Sequence, residues 1–195
     1  MASIKLQGAT SGEITVTVPN VAGTNTLTLP ATTGNIVTTG DSSTITQGMI
    51  GSNVASAGPA FSAYANAALS ITGGVPTKIQ MNTEEFDTNS NYDNVTNYRF
   101  TPTVAGYYQV SGSIGGSPTS AGYFFTMVYK NGSNYKSGAN FPISGTYGPQ
   151  SVCSSLVYLN GSTDYIELYG QAQNTNSIGG ASSITFFQAF LARAA

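Results

Sequence analysis

Histidine and tryptophan are absent from the 195 residues, and cysteine occurs once. Without imidazole there is no His-based catalytic triad, no common zinc site and no imidazole acid–base step. The lone thiol, Cys153, can close no disulfide within the chain. It lies in the strand-like run Ser151-Val152-Cys153-Ser154-Ser155-Leu156 and reads as a small buried hydrophobe, since no histidine exists to activate it. Charge is scarce: 7% of residues are Asp, Glu, Lys or Arg, against roughly 25% in an ordinary domain. The net charge is −2 and the six cations form no cluster, which excludes a nucleic-acid surface that tracks phosphates. No stretch approaches the ~20 apolar residues of a membrane span. The opening Met1-Ala2-Ser3-Ile4-Lys5 has no apolar signal core. Synthesis in a cytoplasm, with release by a route such as lysis, is the expectation.

Ser, Thr, Asn, Gln and 23 glycines supply the polarity, a surface chemistry met on extracellular and virion proteins. Tyr, Val, Ile, Thr and Phe recur in short runs broken by Gly, Asn and Pro, which predicts an all-β chain. Three regions differ in texture: 1–40, 41–58 and 59–195. In the first, Ile14-Thr15-Val16-Thr17-Val18 predicts a strand with its apolar residues on one face. Leu27-Thr28-Leu29 and Ile36-Val37 predict two more. Three short strands bury little area, and at roughly 25 cal/mol per Å² that barely offsets chain entropy. This extended N-terminal β-arm is expected to order on a partner, anchored by Ile14, Val16, Val18, Leu27, Leu29 and Ile36. Residues 41–58 read as a linker with room for one helical turn capped by Ser43.

From Pro59 the strands lengthen and become aromatic. They are predicted at Ala60–Asn66, Lys78–Asn82, Tyr98–Phe100, Tyr107–Ile114, Tyr123–Lys130, Ser151–Leu159, Tyr165–Ala172 and Ser183–Ala192. Asn131-Gly132 and Asn160-Gly161 each predict a two-residue hairpin. So many short strands match an antiparallel jelly-roll β-sandwich.

Ordered short motifs carry a resemblance. Pro59-Ala60-Phe61-Ser62-Ala63-Tyr64, Tyr98-Arg99-Phe100-Thr101-Pro102-Thr103-Val104-Ala105-Gly106-Tyr107-Tyr108, Val128-Tyr129-Lys130-Asn131-Gly132, Tyr165-Ile166-Glu167-Leu168 and Ser183-Ile184-Thr185-Phe186-Phe187-Gln188-Ala189-Phe190-Leu191 follow one another in order. Residues 59–192 thereby resemble the jelly roll of complement C1q and tumour-necrosis-factor-type domains. They depart from it at Gln188-Ala189, where that family often has Ser-Gly, and in having no collagen-like stalk. Gly23-Thr24-Asn25-Thr26-Leu27-Thr28-Leu29-Pro30-Ala31-Thr32-Thr33-Gly34 resembles a Thr-rich segment of bacteriophage virion proteins. Together the two resemblances imply a homotrimeric structural protein of a phage virion. It would be a capsid decoration (cement) protein or short fibre, held to the major capsid protein or tail subunits through residues 1–40. The alternative they imply is a receptor-binding fibre tip recognising host surface glycan.

In a trimer of jelly rolls one face of each sandwich packs around the three-fold axis, where aromatic residues would give a wide apolar contact. The alternative is that both outer faces simply bear tolerated aromatics. Phe124, Tyr107 and Phe187 form one set and Tyr108, Tyr123 and Phe186 another; one should fill the core and the other meet a neighbouring subunit, with Phe190 a further interface candidate. Glu84, Glu85, Asp87 and Asp93 are the only carboxylate-rich stretch, a weak calcium or glycosidase candidate. Glu84 and Glu85 point to opposite sides of an extended segment, and the surrounding asparagines mark a solvated loop. No cofactor and no catalysis are expected. The polar stretches Ser117–Ser120 and Asn134–Gln150, with Tyr135, Phe141 and Tyr147, read equally as loops that contact glycan or protein and as jelly-roll loops without any ligand.

Overall fold

Asn131 and Gly132 form the tight turn that their composition predicts, with φ of 52° and 76°, and Lys130 pairs with Ser133 across it. The computed structural model describes residues 3–7, 10–17, 23–24, 31, 58–117, 121–143, 148 and 150–195, and among these there is no helix. The chain divides into two compact units, Met1–Thr44 and Ile45–Ala195.

In the first unit, β1 (Ser3–Gln7) and β2 (Glu13–Thr17) form an antiparallel hairpin in which Leu6 pairs with Ile14 and Ile4 with Val16. Leu6 and Val16 are exposed. A two-stranded ribbon has little stability of its own. Ile14 and Val16 thus stand on a strand, whereas Val18, Leu27, Leu29, Ile36 and the turn at Ser43 lie outside the described residues.

The second unit contains β3 (Ala60–Tyr64), β4 (Leu69–Ile71), β5 (Thr77–Lys78), β6 (Thr83–Asp87), β7 (Tyr92–Asp93), β8 (Arg99–Phe100), β9 (Ala105–Ser117), β10 (Gly122–Lys130), β11 (Ser133–Ser137), β12 (Phe141–Ile143), β13 (Gln150–Asn160), β14 (Ile166–Ala172), β15 (Asn176–Ile178) and β16 (Phe186–Ala194). All pairings are antiparallel. The front layer runs β6-β3-β16-β9-β13, extended where β15 and β4 follow the end of β9. The back layer runs β11-β10-β14-β8-β7, with β12 on β10 and β5 on β14.

Between the layers Phe61 stacks on Tyr92 (4.6 Å) and Phe100 (4.5 Å) and meets Phe187 edge-on at 5.2 Å. Tyr108, Val110, Ile114, Phe124, Val157 and Leu168 complete this core. The two buried phenols keep their hydroxyls satisfied: Tyr92 donates to the Met81 carbonyl and Tyr108 to that of Val104. Burial pushes both phenol pKa values up.

Several sequence expectations change. Asn160-Gly161 is not a hairpin, because β13 and β14 belong to different layers. Asn160 Oδ1 instead accepts from the N–H groups of Ser162, Thr163 and Asp164, and Gly161 takes φ 71° as the chain crosses over. The stretch Glu84–Asp87 is not a loop but strand β6, paired with β3. Asn134–Gln150 includes β11 and β12, both paired with β10. Lys78–Asn82 is strand only at its start, although Ile79 and Met81 are buried.

Candidate functional site

Cross-strand pairing sorts the front layer's outward residues into rows. One row is Phe86–Ser62–Gln188–Ser111–Ser154. Below it, toward the pole where the chain enters at Pro59, lies Ala60–Phe190–Gln109–Leu156. Tyr107 and Tyr158 pair below that, rings 5.5 Å apart. Above the first row lies Tyr64–Phe186–Ser113–Val152. Below the first row Leu156 and Phe190 are each 53% exposed and Tyr107 43%, and above it Val152 is 47% exposed, so apolar side chains stand open on both sides of a polar row. A contiguous face of this kind on one sheet marks an interaction surface.

Four polar residues on this face, Gln188, Ser111, Gln109 and Ser154, are bonded among themselves. Gln188 Nε2 donates to Ser111 Oγ at 3.1 Å, and Gln109 Nε2 to Ser154 Oγ at 2.9 Å. Ser62 is buried because a bulge opposite Ser62/Ala63 brings Glu85 over it; its hydroxyl donates to Glu85 Oε2 at 2.7 Å. Two hollows lie on the face. One of about 610 Å³ is bounded by Tyr107, Leu156 and Ala192–Ala195; one of about 180 Å³ lies beside Phe86, Phe190, Gln109 and Gln188.

On β10 and β14 of the back layer the outward residues cover one another, whereas β11 with Tyr135 is exposed. Tyr129 and Tyr169 stack at 3.8 Å and Arg99 lies 4.4 Å from the Tyr165 ring centre. Buried Glu167 is paired with Lys78 Nζ, which also donates to the Asn97 carbonyl. Met127, pointing out of the core beside Tyr169, is itself buried.

The aromatic sets divide differently from expectation. Tyr108, Phe124 and Phe187 are all enclosed between the layers, so they face their own chain rather than a neighbour. Adjacent strand residues point to opposite sides; Tyr107 therefore points outward beside Tyr108, and Phe186 beside Phe187. Tyr107, Phe186 and Phe190 share the front face. Tyr123 stands on β10 of the back layer, 5.8 Å from the Phe125 ring. The reading from sequence missed Val152, Leu156 and Tyr158. Their signal was present: β13 alternates outward Val152, Leu156 and Tyr158 with inward Cys153, Val157 and Leu159, so it is apolar on both faces.

The four acids do not converge. Asp87 accepts from the N–H groups of Tyr92 and Asn89. Asp93 accepts from those of Val95, Thr96 and Asn97, and the Thr96 bond above all holds its carboxyl down at about 2. Glu84 is raised by partial desolvation and by Asp87. Among the described residues no three His, Cys, Asp or Glu side chains group as metal ligands. Cys153 is buried, its thiol 3.7 Å from the Lys136 carbonyl, and desolvation raises its pKa.

No protein-family model matches the chain, and no curated protein sequence does. Solved structures resemble it in fold. The globular domain of zebrafish complement 1qA protein superposes with a TM-score of 0.51 at 14% identity, covering 70% of this chain and 98% of that one. Murine APRIL at pH 5.0 gives 0.54 at 9% identity, covering 67% and 96%. Eiger TNF from S. frugiperda gives 0.50 at 10% identity, covering 70% and 94%. The sandwich is an antiparallel jelly roll similar to C1q and TNF domains.

Proposed function

We propose that the chain is a non-catalytic structural protein of a bacteriophage virion, a capsid decoration protein or short fibre made in the host cytoplasm. Residues 59–195 associate as a homotrimeric knob, and residues 1–40 fasten it to capsid or tail subunits. The observation that carries the knob is the front face, where Tyr107, Leu156, Tyr158 and Phe190 lie exposed on one sheet with half-buried Phe186 beside them. Burying such a face at roughly 25 cal/mol per Å² drives association. The particle attachment is supported by the phage-like segment 23–34 and by the exposed Leu6 and Val16 of the first hairpin.

Light scattering at micromolar concentration is expected to give about three times the 20.1 kDa chain; a monomer would count against the knob. Removing residues 1–50 should leave the trimer and abolish its recovery with particles. If the shortened protein loses particles but still binds host cells, the receptor-tip reading gains. Exposed Tyr135, with Lys136 Nζ 5.3 Å from its ring centre, is the observation that favours that second reading.

A further inference from the structure

Asp164 is bonded to both Asn-Gly pairs of the chain, Asn131-Gly132 and Asn160-Gly161. Its Oδ1 accepts from Asn131 Nδ2 at 2.8 Å, and its Oδ2 from the Asn160 N–H at 3.2 Å. Its own N–H donates to Asn160 Oδ1 at 2.9 Å, and Lys130 Nζ lies 2.9 Å from its Oδ2. We propose that Asn131 and Asn160 are deamidation sites held in check by Asp164, and that conversion of Asn131 releases Asn160.

An Asn-Gly pair offers this reaction little hindrance, because glycine has no Cβ to shield its nitrogen. The Gly132 nitrogen gives up its proton to hydroxide and attacks Asn131 Cγ. The Cγ–Nδ2 bond breaks, ammonia leaves with a proton from water, and a five-membered imide remains. Water opens the imide to aspartate or isoaspartate, so that overall one water is consumed and one ammonia released. Asn131, Gly132 and Asn160 are exposed, and solvent reaches both pairs.

The attack requires the side-chain amide to turn onto the next backbone nitrogen. At Asn131 both ends of the amide are tied, Nδ2 to the Asp164 carboxylate and Oδ1 to the Tyr165 N–H at 2.9 Å. At Asn160, Oδ1 accepts from the N–H groups of Ser162, Thr163 and Asp164, and Nδ2 donates to Thr163 Oγ1 at 2.8 Å. The bonds to the Asp164 carboxylate are charge-assisted. The one from Asn131 above all holds that carboxyl below its ordinary range, so it stays ionised in alkaline solution, where deamidation is fast.

The coupling follows from what replaces the amide. A carboxylate at position 131 has no hydrogen for Asp164 Oδ1, and two like charges then face each other across the former bond. Asp164 turns away and withdraws from Asn160. The reverse does not hold, because a carboxylate at position 160 still accepts the same three N–H groups.

The test follows both sites by peptide mass mapping of the full chain in mildly alkaline buffer, with the urea-unfolded chain as the unprotected reference. Native wild-type protein should convert more slowly than that reference at both sites. Asp164→Ala should raise both native rates at least about tenfold, the effect of losing one bond to a charged group. Asn131→Asp should speed Asn160 several-fold, whereas Asn160→Asp should leave Asn131 unchanged. Circular dichroism reports whether each variant is folded. If Asp164→Ala does not fold, Asp164→Asn, with one acceptor oxygen and no charge, is read in its place. Unchanged rates in the folded Asp164 variant overturn the guard. An unchanged Asn160 rate in folded Asn131→Asp, or equal effects of the two Asn→Asp variants on each other's site, overturn the coupling.

Discussion

Thr126 donates to Ser151 twice: its N–H to Ser151 Oγ at 3.0 Å, and its Oγ1 to the Ser151 carbonyl at 2.7 Å. Thr126 is on β10 of the back layer and Ser151 on β13 of the front, so this buried pair of bonds clips the two sheets together. Ser151→Ala leaves the Thr126 N–H buried without that acceptor. It should cost about 1–3 kcal/mol in urea unfolding, with the slope unchanged.

Phe61 touches three rings at once. Phe61→Ala should therefore cost about 3–5 kcal/mol, read as a lower thermal midpoint. Phe190→Ala, a ring of equal size in the open, should leave the stability of the isolated sandwich nearly unchanged.

Lys78 is the ionic partner of Glu167, whose side chain is only 4% exposed while that of Lys78 is 32% exposed. Lys78→Met strands the carboxylate. The loss should be about 3 kcal/mol, the low end for breaking a buried pair. Pairing Lys78→Met with Glu167→Gln should restore much of it, measured by the same denaturation.

Asp93 has its folded pKa lowered from 3.8 to about 2. A lowered folded pKa stabilises the native state above the unfolded value and ceases to do so as pH falls through the folded one. Stability should therefore drop between pH 4 and pH 2, and less steeply in Asp93→Asn. The carboxyl is almost wholly in water, so solvent screening keeps the difference small.

Gly161 and Gly74 have nearly the same positive φ, 71° and 73°, but different surroundings. A Cβ at Gly74 meets nothing within 4 Å, whereas one at Gly161 would lie 2.3 Å from the Ala105 backbone nitrogen. Gly74→Ala should cost about 1 kcal/mol from backbone strain alone. Gly161→Ala should cost distinctly more, because main-chain atoms cannot move aside.

The strands visible in the sequence are those whose alternation reports a buried face, such as Tyr107–Ile114 and Tyr123–Lys130, and the Asn131-Gly132 turn fixed its own hairpin. β6 and β11 were hidden because Thr83-Glu84-Glu85 and Ser133-Asn134-Tyr135 carry no apolar period. They are strands because a neighbour's edge offers them hydrogen bonds. The interface was hidden for a related reason. That Tyr107 lies beside Tyr158, and Phe190 in line with Leu156, depends on register between strands some fifty to eighty positions apart in the chain. No local pattern encodes it.

The sandwich has unlike poles. At one, Pro59, Ala105 and Ala195 come together; at the other, β9 ends at Ser117 and β10 begins at Gly122. In evolutionary terms this separates two kinds of freedom. In the proposed trimer, changes near Tyr107 and Leu156 must suit every copy simultaneously. Ser117 and Gly122 stand at the pole away from those rows, so that in the proposed trimer the two ends of the sandwich answer to different constraints.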